Sequence, residues 1–265
     1  MRLALFQGPS AGGDVGANLA AIDRAARCAA AEGADLLVTP EMSATGYNIG
    51  AAVSQRAETS VGPLRDAIAQ IAVKHGVAII YGYPERTPES IYNTASVIGT
   101  DGTVLGTHRK THLYGELDRR AFRPGERLVS QFTFDGFTCG LAICYEVEFP
   151  EVVRAHADSG TDVLFVPTAL MPPFEVVGRI VVPARAYENQ MFVVYANRCD
   201  VEDGLAYCGL SCVVGPDGAD VVRAGAGEEF LVATIDPAAL ATGRSINTHR
   251  ADRRGDLYPI ERQRP

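Results

Sequence analysis

The stretch Gly140 to Glu151, GLAICYEVEFPE, constrains this chain more than any other. It opens as an apolar run of strand length. It closes on Phe149-Pro150-Glu151, a helix-start signal, because proline is tolerated in a first helical turn. One cysteine, Cys144, sits between the two. A turn from strand to helix can hold a nucleophile clear of the sheet, beside backbone N–H groups that the helix has not used. Taken alone, a cysteine in an apolar run is more often an inert core residue. Two other stretches shift that balance. Leu36 to Glu41 (LLVTPE) reads as a strand that delivers a carboxylate, and Thr107 to Leu113 (THRKTHL) delivers Lys110.

Around these segments the hydrophobic period alternates between strand and helix. Strands are predicted over residues 2–7, 36–39 and 77–81, and helices over 18–32 and 61–75, with Gly33 and Gly76 just beyond the helix ends. Residues 92–98 and 104–109 pair about Asp101-Gly102, and 128–134 with 137–143 about Asp135-Gly136, both hairpin signals. Between the pairs, residues 111–127 read as a charged, irregular loop. A helix over 150–159 and a strand over 162–166 follow. The helical pattern of 176–190 is interrupted by Pro183, which marks its true start or a kink. Strands over 191–196, 207–214, 219–224 and 230–235 and a short helix over 237–242 complete the series. No linker or short repeat divides residues 1–265, so one α/β domain is predicted, with two sheets covered by helices.

Composition removes several functions. With 47% hydrophobic residues the chain can bury a sizeable core. A formal net charge of −8 and no basic stripe argue against a nucleic-acid partner. The apolar N-terminus is stopped by Gln7-Gly8-Pro9, too early for a secretory signal, and no run approaches the roughly 18 apolar residues of a membrane span. The six cysteines are scattered without a CxxC pair, which suits reduced thiols and a cytoplasmic setting. His108 and His112 are spaced as on a metal-binding helix, but Arg109 and Lys110 lie between them and would repel a cation; no metal is expected.

Glu41, Lys110 and Cys144 each follow an apolar strand, and ligands bind beyond strand C-termini in open α/β sheets. If the three strands are neighbours, the side chains meet. A carboxylate can then take the thiol proton, and an ammonium with the Tyr145 N–H can stabilise charge on an attacked carbonyl. The resulting thioester is cleaved by water activated by the carboxylate. A Cys–His enzyme using His108 or His112 is the other thiol chemistry these residues allow. A scaffold subunit would need none of the three.

Together the segments resemble the nitrilase superfamily of carbon–nitrogen hydrolases. The resemblance runs through Pro40-Glu41, through His108 to Leu113 and through Cys144 to Glu151. It continues in Arg185 to Asn189, Ala196-Asn197-Arg198, Gly209-Leu210-Ser211, Pro216-Asp217-Gly218 and Arg253 to Tyr258. It implies a four-layer α-β-β-α sandwich without cofactor that forms a homodimer or larger assembly, its tail from about residue 243 docked on a partner subunit. It also implies that Glu41 is the general base, Lys110 the oxyanion stabiliser and Cys144 the nucleophile. Family members carry a second carboxylate before an aromatic-x-Pro-Gly. Here Glu116 fits by residue type, and Asp118 by its distance from Pro124-Gly125. Residues 42–50, 81–87, 91–93 and 115–119 look like the 5-aminopentanamidase branch. For the ammonium end of such a substrate, Tyr145, Glu148, Tyr47 and Glu175 are the loop candidates. The small-molecule substrate implied is a short aliphatic amide; a nitrile or an N-carbamoyl amine would use the same three groups.

Overall fold

A computed structural model describes residues 1–257. The strands of the first sheet come early: β1 (Arg2–Gln7), β2 (Leu36–Val38), β3 (Ala78–Arg86), β4 (Ile91–Ile98) and β5 (Val104–Arg109). The second sheet takes β6 (Ser130–Phe134), β7 (Phe137–Leu141), β8 (Val163–Pro167) and β9 (Phe192–Ala196). A small hairpin of β10 (Val201–Glu202) and β11 (Leu205–Ala206) precedes β12 (Cys212–Val214) and β13 (Asp220–Arg223), which finish the second sheet. Strand β14 (Glu229–Thr234) then returns to pair antiparallel with β1. The orders are β14-β1-β2-β3-β4-β5 and β13-β12-β9-β8-β7-β6.

Alternation along the strands sets the layers, because successive side chains point to opposite faces. Leu3, Leu5, Leu36, Val38 and Ile80 of the first sheet meet Phe132, Leu141, Phe165 and Val194 of the second in one buried core. The intervening Ala4, Leu37, Ile79 and Tyr81 face outward onto α1 (Val15–Ala31) and, beyond α2 (Ala52–Arg56), α3 (Pro63–His75). On the far side Leu164, Val166 and Val193 pack against α5 (Pro150–Asp158), which follows α4 (Gly115–Ala121) in the chain, and against α6 (Val182–Asn189). The result is the expected α-β-β-α sandwich.

Three local differences from the sequence reading have physical causes. The loop over 111–127 contains α4, whose Glu116 pairs with Arg119 and Arg120 one turn on. Pro183 lies in the first turn of α6, and because it has no N–H to donate, the preceding residues Val177–Val181 widen into a π turn. Of the strand predicted over 207–214 only Cys212–Val214 is extended; Gly209 and Leu210 both have positive φ, which breaks the pleat. After α7 (Pro237–Ile246) the tail lies on its own chain, where Arg250 donates to the Ala157 carbonyl and Arg253 pairs with Asp158. Tyr258 is outside the described residues.

Candidate active site

The three strands expected to be neighbours are not adjacent. Strands β3 and β4 separate β2 from β5, and β7 belongs to the other sheet. The side chains meet because the sheets stack with these strand ends together. The Glu41 N–H donates to the Thr168 carbonyl beyond β8, tying the end of β2 to the second sheet (3.3 Å). The turn after Glu41 lies tightly against β3: a Cβ on Gly82 would stand 2.4 Å from the Met42 nitrogen. Lys110 is held at the end of β5 by its N–H to the Asn93 carbonyl, and its own carbonyl accepts from Gly125, both at 2.8 Å. Cys144 opens a 3-10 turn, Cys144–Glu148, with φ of 50°. A left-handed backbone at a non-glycine residue is strained and lifts the side chain out of the run of the strand.

Lys110, fully buried, is the hub. Its Nζ donates to Glu41 Oε1 at 2.8 Å and to Asp118 Oδ2 at 2.7 Å. Asn93 Nδ2 donates to the same Glu41 oxygen at 2.6 Å. Asp118 also accepts from the Tyr47 hydroxyl and the Tyr114 N–H, both at 2.8 Å. Glu116, by contrast, points to solvent from the other face of α4. Asp118 is therefore the second carboxylate placed at the lysine, and Glu116 is not.

Electrostatics follow from burial. Desolvation would pull the Lys110 ammonium down, but Glu41 and Asp118 outweigh it and hold its proton well above the ordinary lysine range. Burial, reinforced by Asp118 and opposed by Lys110, raises Glu41. The Cys144 thiol is pushed well above its usual range by burial and then by Glu41, with Lys110 pulling the other way. Asp118 adds a smaller upward push, so Glu41, Lys110 and Asp118 all act on the sulfur.

Of the four residues singled out for the ammonium end, Tyr145 stands edge-on to Tyr114 and Phe149, and Tyr114 in turn meets Phe174. Half-buried Glu148 feels both Arg185 and Lys110. Glu175 is partly buried near Cys208. Tyr47 corrects the expectation: its hydroxyl is taken by Asp118 and its ring lies under Lys110, so it belongs to the buried hub. His108 and His112 do not share a site. His108 Nε2 donates to Glu146, and His112 bonds Thr111 and lies tilted against the Phe149 ring.

Sequence reasoning missed Asn93 and Glu146. An asparagine inside a strand is a depleted residue type, and that was the available signal for Asn93. Glu146 had a weaker one: its position three residues after Ile143 lets it reach back to that N–H, as a capping carboxylate does (2.7 Å).

The sequence profile of the carbon–nitrogen hydrolase family matches residues 2–244. This chain belongs to that family. A hydrolase of Pseudomonas protegens is 43% identical to this carbon–nitrogen hydrolase over 260 residues, covering 97% of the chain and 90% of the relative. An (R)-stereoselective amidase of a Pseudomonas species is 35% identical over 267 residues, covering 100% and 96%. Among solved structures, a double mutant of the amidase from Nesterenkonia sp. AN1 in complex with acrylamide superposes with a TM-score of 0.89 at 36% identity, covering 97% of this chain and 95% of that one. Another form of that amidase is described as a member of the nitrilase superfamily.

Proposed function

We propose that this carbon–nitrogen hydrolase is an amidase that splits a short linear carboxamide into its acid and ammonia through a thioester on Cys144. The observation that carries the reading is the buried row Glu41, Lys110 and Asp118, in which Glu41 Oε2 has no hydrogen-bond partner. A buried carboxylate oxygen left open beside a cysteine is an acceptor waiting for a proton. Glu41 takes the thiol proton as the sulfur attacks the amide carbon. The charge that moves onto the carbonyl oxygen is met by the Lys110 ammonium and the Tyr145 N–H; each such donor is worth about 3–4 kcal/mol. The tetrahedral adduct collapses with cleavage of the C–N bond, and Glu41 returns the proton to the departing ammonia. Water deprotonated by Glu41 then attacks the thioester, and the thiol is regenerated with release of the acid.

Burial raises Glu41, which strengthens it as a proton acceptor and supports this role. Lys110 holds its proton too firmly to serve as an acid, which suits a fixed cation. The amidases among the relatives, and the acrylamide and butyramide complexes of the Nesterenkonia enzyme, favour small aliphatic amides. We extend the reading to an ω-amino amide such as 5-aminopentanamide. Glu148 acts on Tyr114, whose ring stands edge-on to those of Tyr145 and Phe174, so the group offers a carboxylate and aromatic faces to an ammonium.

The test is ammonia release from 5-aminopentanamide and butyramide, with hydroxylamine added to trap the acyl group as a hydroxamate. Wild type is expected to release ammonia and form hydroxamate, and Cys144→Ala to do neither. Ammonia from Cys144→Ala refutes the nucleophile. Glu148→Gln is expected to raise KM about tenfold for 5-aminopentanamide, the worth of roughly 1.4 kcal/mol of lost pairing, and to leave butyramide unchanged. Equal effects on both amides remove the ω-amino pocket.

A further inference from the structure

The mechanism uses Cys144 and Lys110 but does not say what fixes the distance between them, and the two come from different sheets. We infer that Glu146 is a positioning residue that locks the lysine segment to the cysteine turn. Its side chain is fully buried and collects four hydrogen bonds. On the cysteine side, the Ile143 N–H donates at 2.7 Å. On the lysine side, the Thr111 N–H donates at 2.8 Å, the Thr111 hydroxyl at 2.5 Å and His108 Nε2 at 2.9 Å. The residue before the nucleophile and the residue after the lysine therefore share one carboxylate. His108 is in turn braced by the Ser130 hydroxyl on β6 (3.0 Å), so the clamp is anchored in the second sheet as well.

The donor set demands an ionised carboxylate. Four donors converge on two oxygens, and a carboxylate has lone pairs for all of them. Glutamine in its place presents an NH2 to donors and can satisfy only part of the set. Burial would raise the Glu146 carboxyl, but the His108 charge and the Thr111 bonds hold it down, at about 2. The bonds that make the clamp therefore favour its charged form.

The inference rests on the amidase reading for what the clamp serves, but its test does not depend on turnover. The first measurement is alkylation by iodoacetamide, mapped by peptide, with exposed Cys28 as the internal reference thiol. Removing a negative charge near a thiol favours the thiolate and speeds alkylation. Removing the clamp lets Cys144 drift from Lys110 and slows it. In Glu146→Gln the ratio of Cys144 to Cys28 alkylation at pH 7 is expected to fall at least fivefold. If the wild type hydrolyses amides, kcat per titratable Cys144 should fall at least thirtyfold with KM within threefold. A ratio that is unchanged or higher overturns the inference, as does a loss carried by KM alone. Should Glu146→Gln fail to fold, Thr111→Val decides, because it removes one hydroxyl from the lysine side. A two- to fivefold fall in the alkylation ratio supports the clamp, and no change refutes it. A wild type that alkylates at Cys144 without hydrolysing amides defeats the proposed function and leaves the clamp standing.

Discussion

Glu41 and Asp118 grip the same ammonium with different freedom. Glu41 keeps one oxygen without a partner, whereas Asp118 spends both oxygens on Lys110, Tyr47 and the Tyr114 N–H. The first can accept a proton and the second is committed to holding the cation. Asp118→Asn is expected to cut kcat/KM about a hundredfold, on the scale of losing one electrostatic partner at a transition state. Glu116→Gln, on the solvent face, is expected to stay within twofold; ammonia assays of the pair check both. Here the sequence left two candidates for a reason of geometry. Residues two apart on a helix point in nearly opposite directions, so the choice between Glu116 and Asp118 depends on recognising α4. With four charges in seven residues, that helix shows almost no apolar period. The three residues that follow apolar strands were legible because each stands alone at the end of a recognisable pattern. Asn93, Glu146 and the anchoring role of Tyr47 were not, since each is defined by a partner far away in the chain.

At the scale of elements, legibility followed pattern strength. The sheet strands that form apolar runs of strand length were readable, and so was the tight turn at Asp135-Gly136, where both residues have positive φ. The hairpin of β10 and β11 carries the same Asp-Gly signal at Asp203-Gly204, but two-residue strands give no period to flank it. That hairpin bears on the site: Glu202 accepts the Tyr47 and Asn48 N–H groups at 3.1 and 2.6 Å and pairs with buried Arg198. The contact of the Glu41 turn with β3 gives a test at this scale. Gly82→Ala drives a methyl into the Met42 backbone and is expected to cost about 1–3 kcal/mol. Because the backbone that yields carries Glu41, kcat should fall more than the melting temperature implies. Calorimetry and ammonia assays on the same sample measure the two together, and full activity in a destabilised variant would contradict the coupling.

Across the whole molecule, the buried titratable groups set the acid limit. Burial, with His108 adding to it, lowers His156 to about 4 from an ordinary 6.5. Between those values the unfolded chain binds a proton that the native protein refuses, so stability falls as pH drops. The cost reaches roughly 3 kcal/mol by pH 4. Glu146 acts lower: with a folded pKa of about 2, its contribution is complete above the ordinary 4.5 and is lost as pH falls toward 2. Urea midpoints at pH 7.5, 5.5 and 4 should decline in that order, and His156→Gln should flatten the decline. A wild-type profile that is level over this range would show that His156 is not held neutral.

The return of β14 to the edge of β1 has a further consequence for how the protein is made. Strand β1 is synthesised well before one of its two partners, Glu229–Thr234. At the usual 5–20 residues per second, synthesis of the intervening chain takes roughly 10–45 s. During that interval Arg2–Gln7 presents an open edge, and the sheet that carries Glu41 and Lys110 is unfinished. The sheet edge beside β1 is therefore closed only once β14 has been made, and until then a short apolar strand lacks one of its partners.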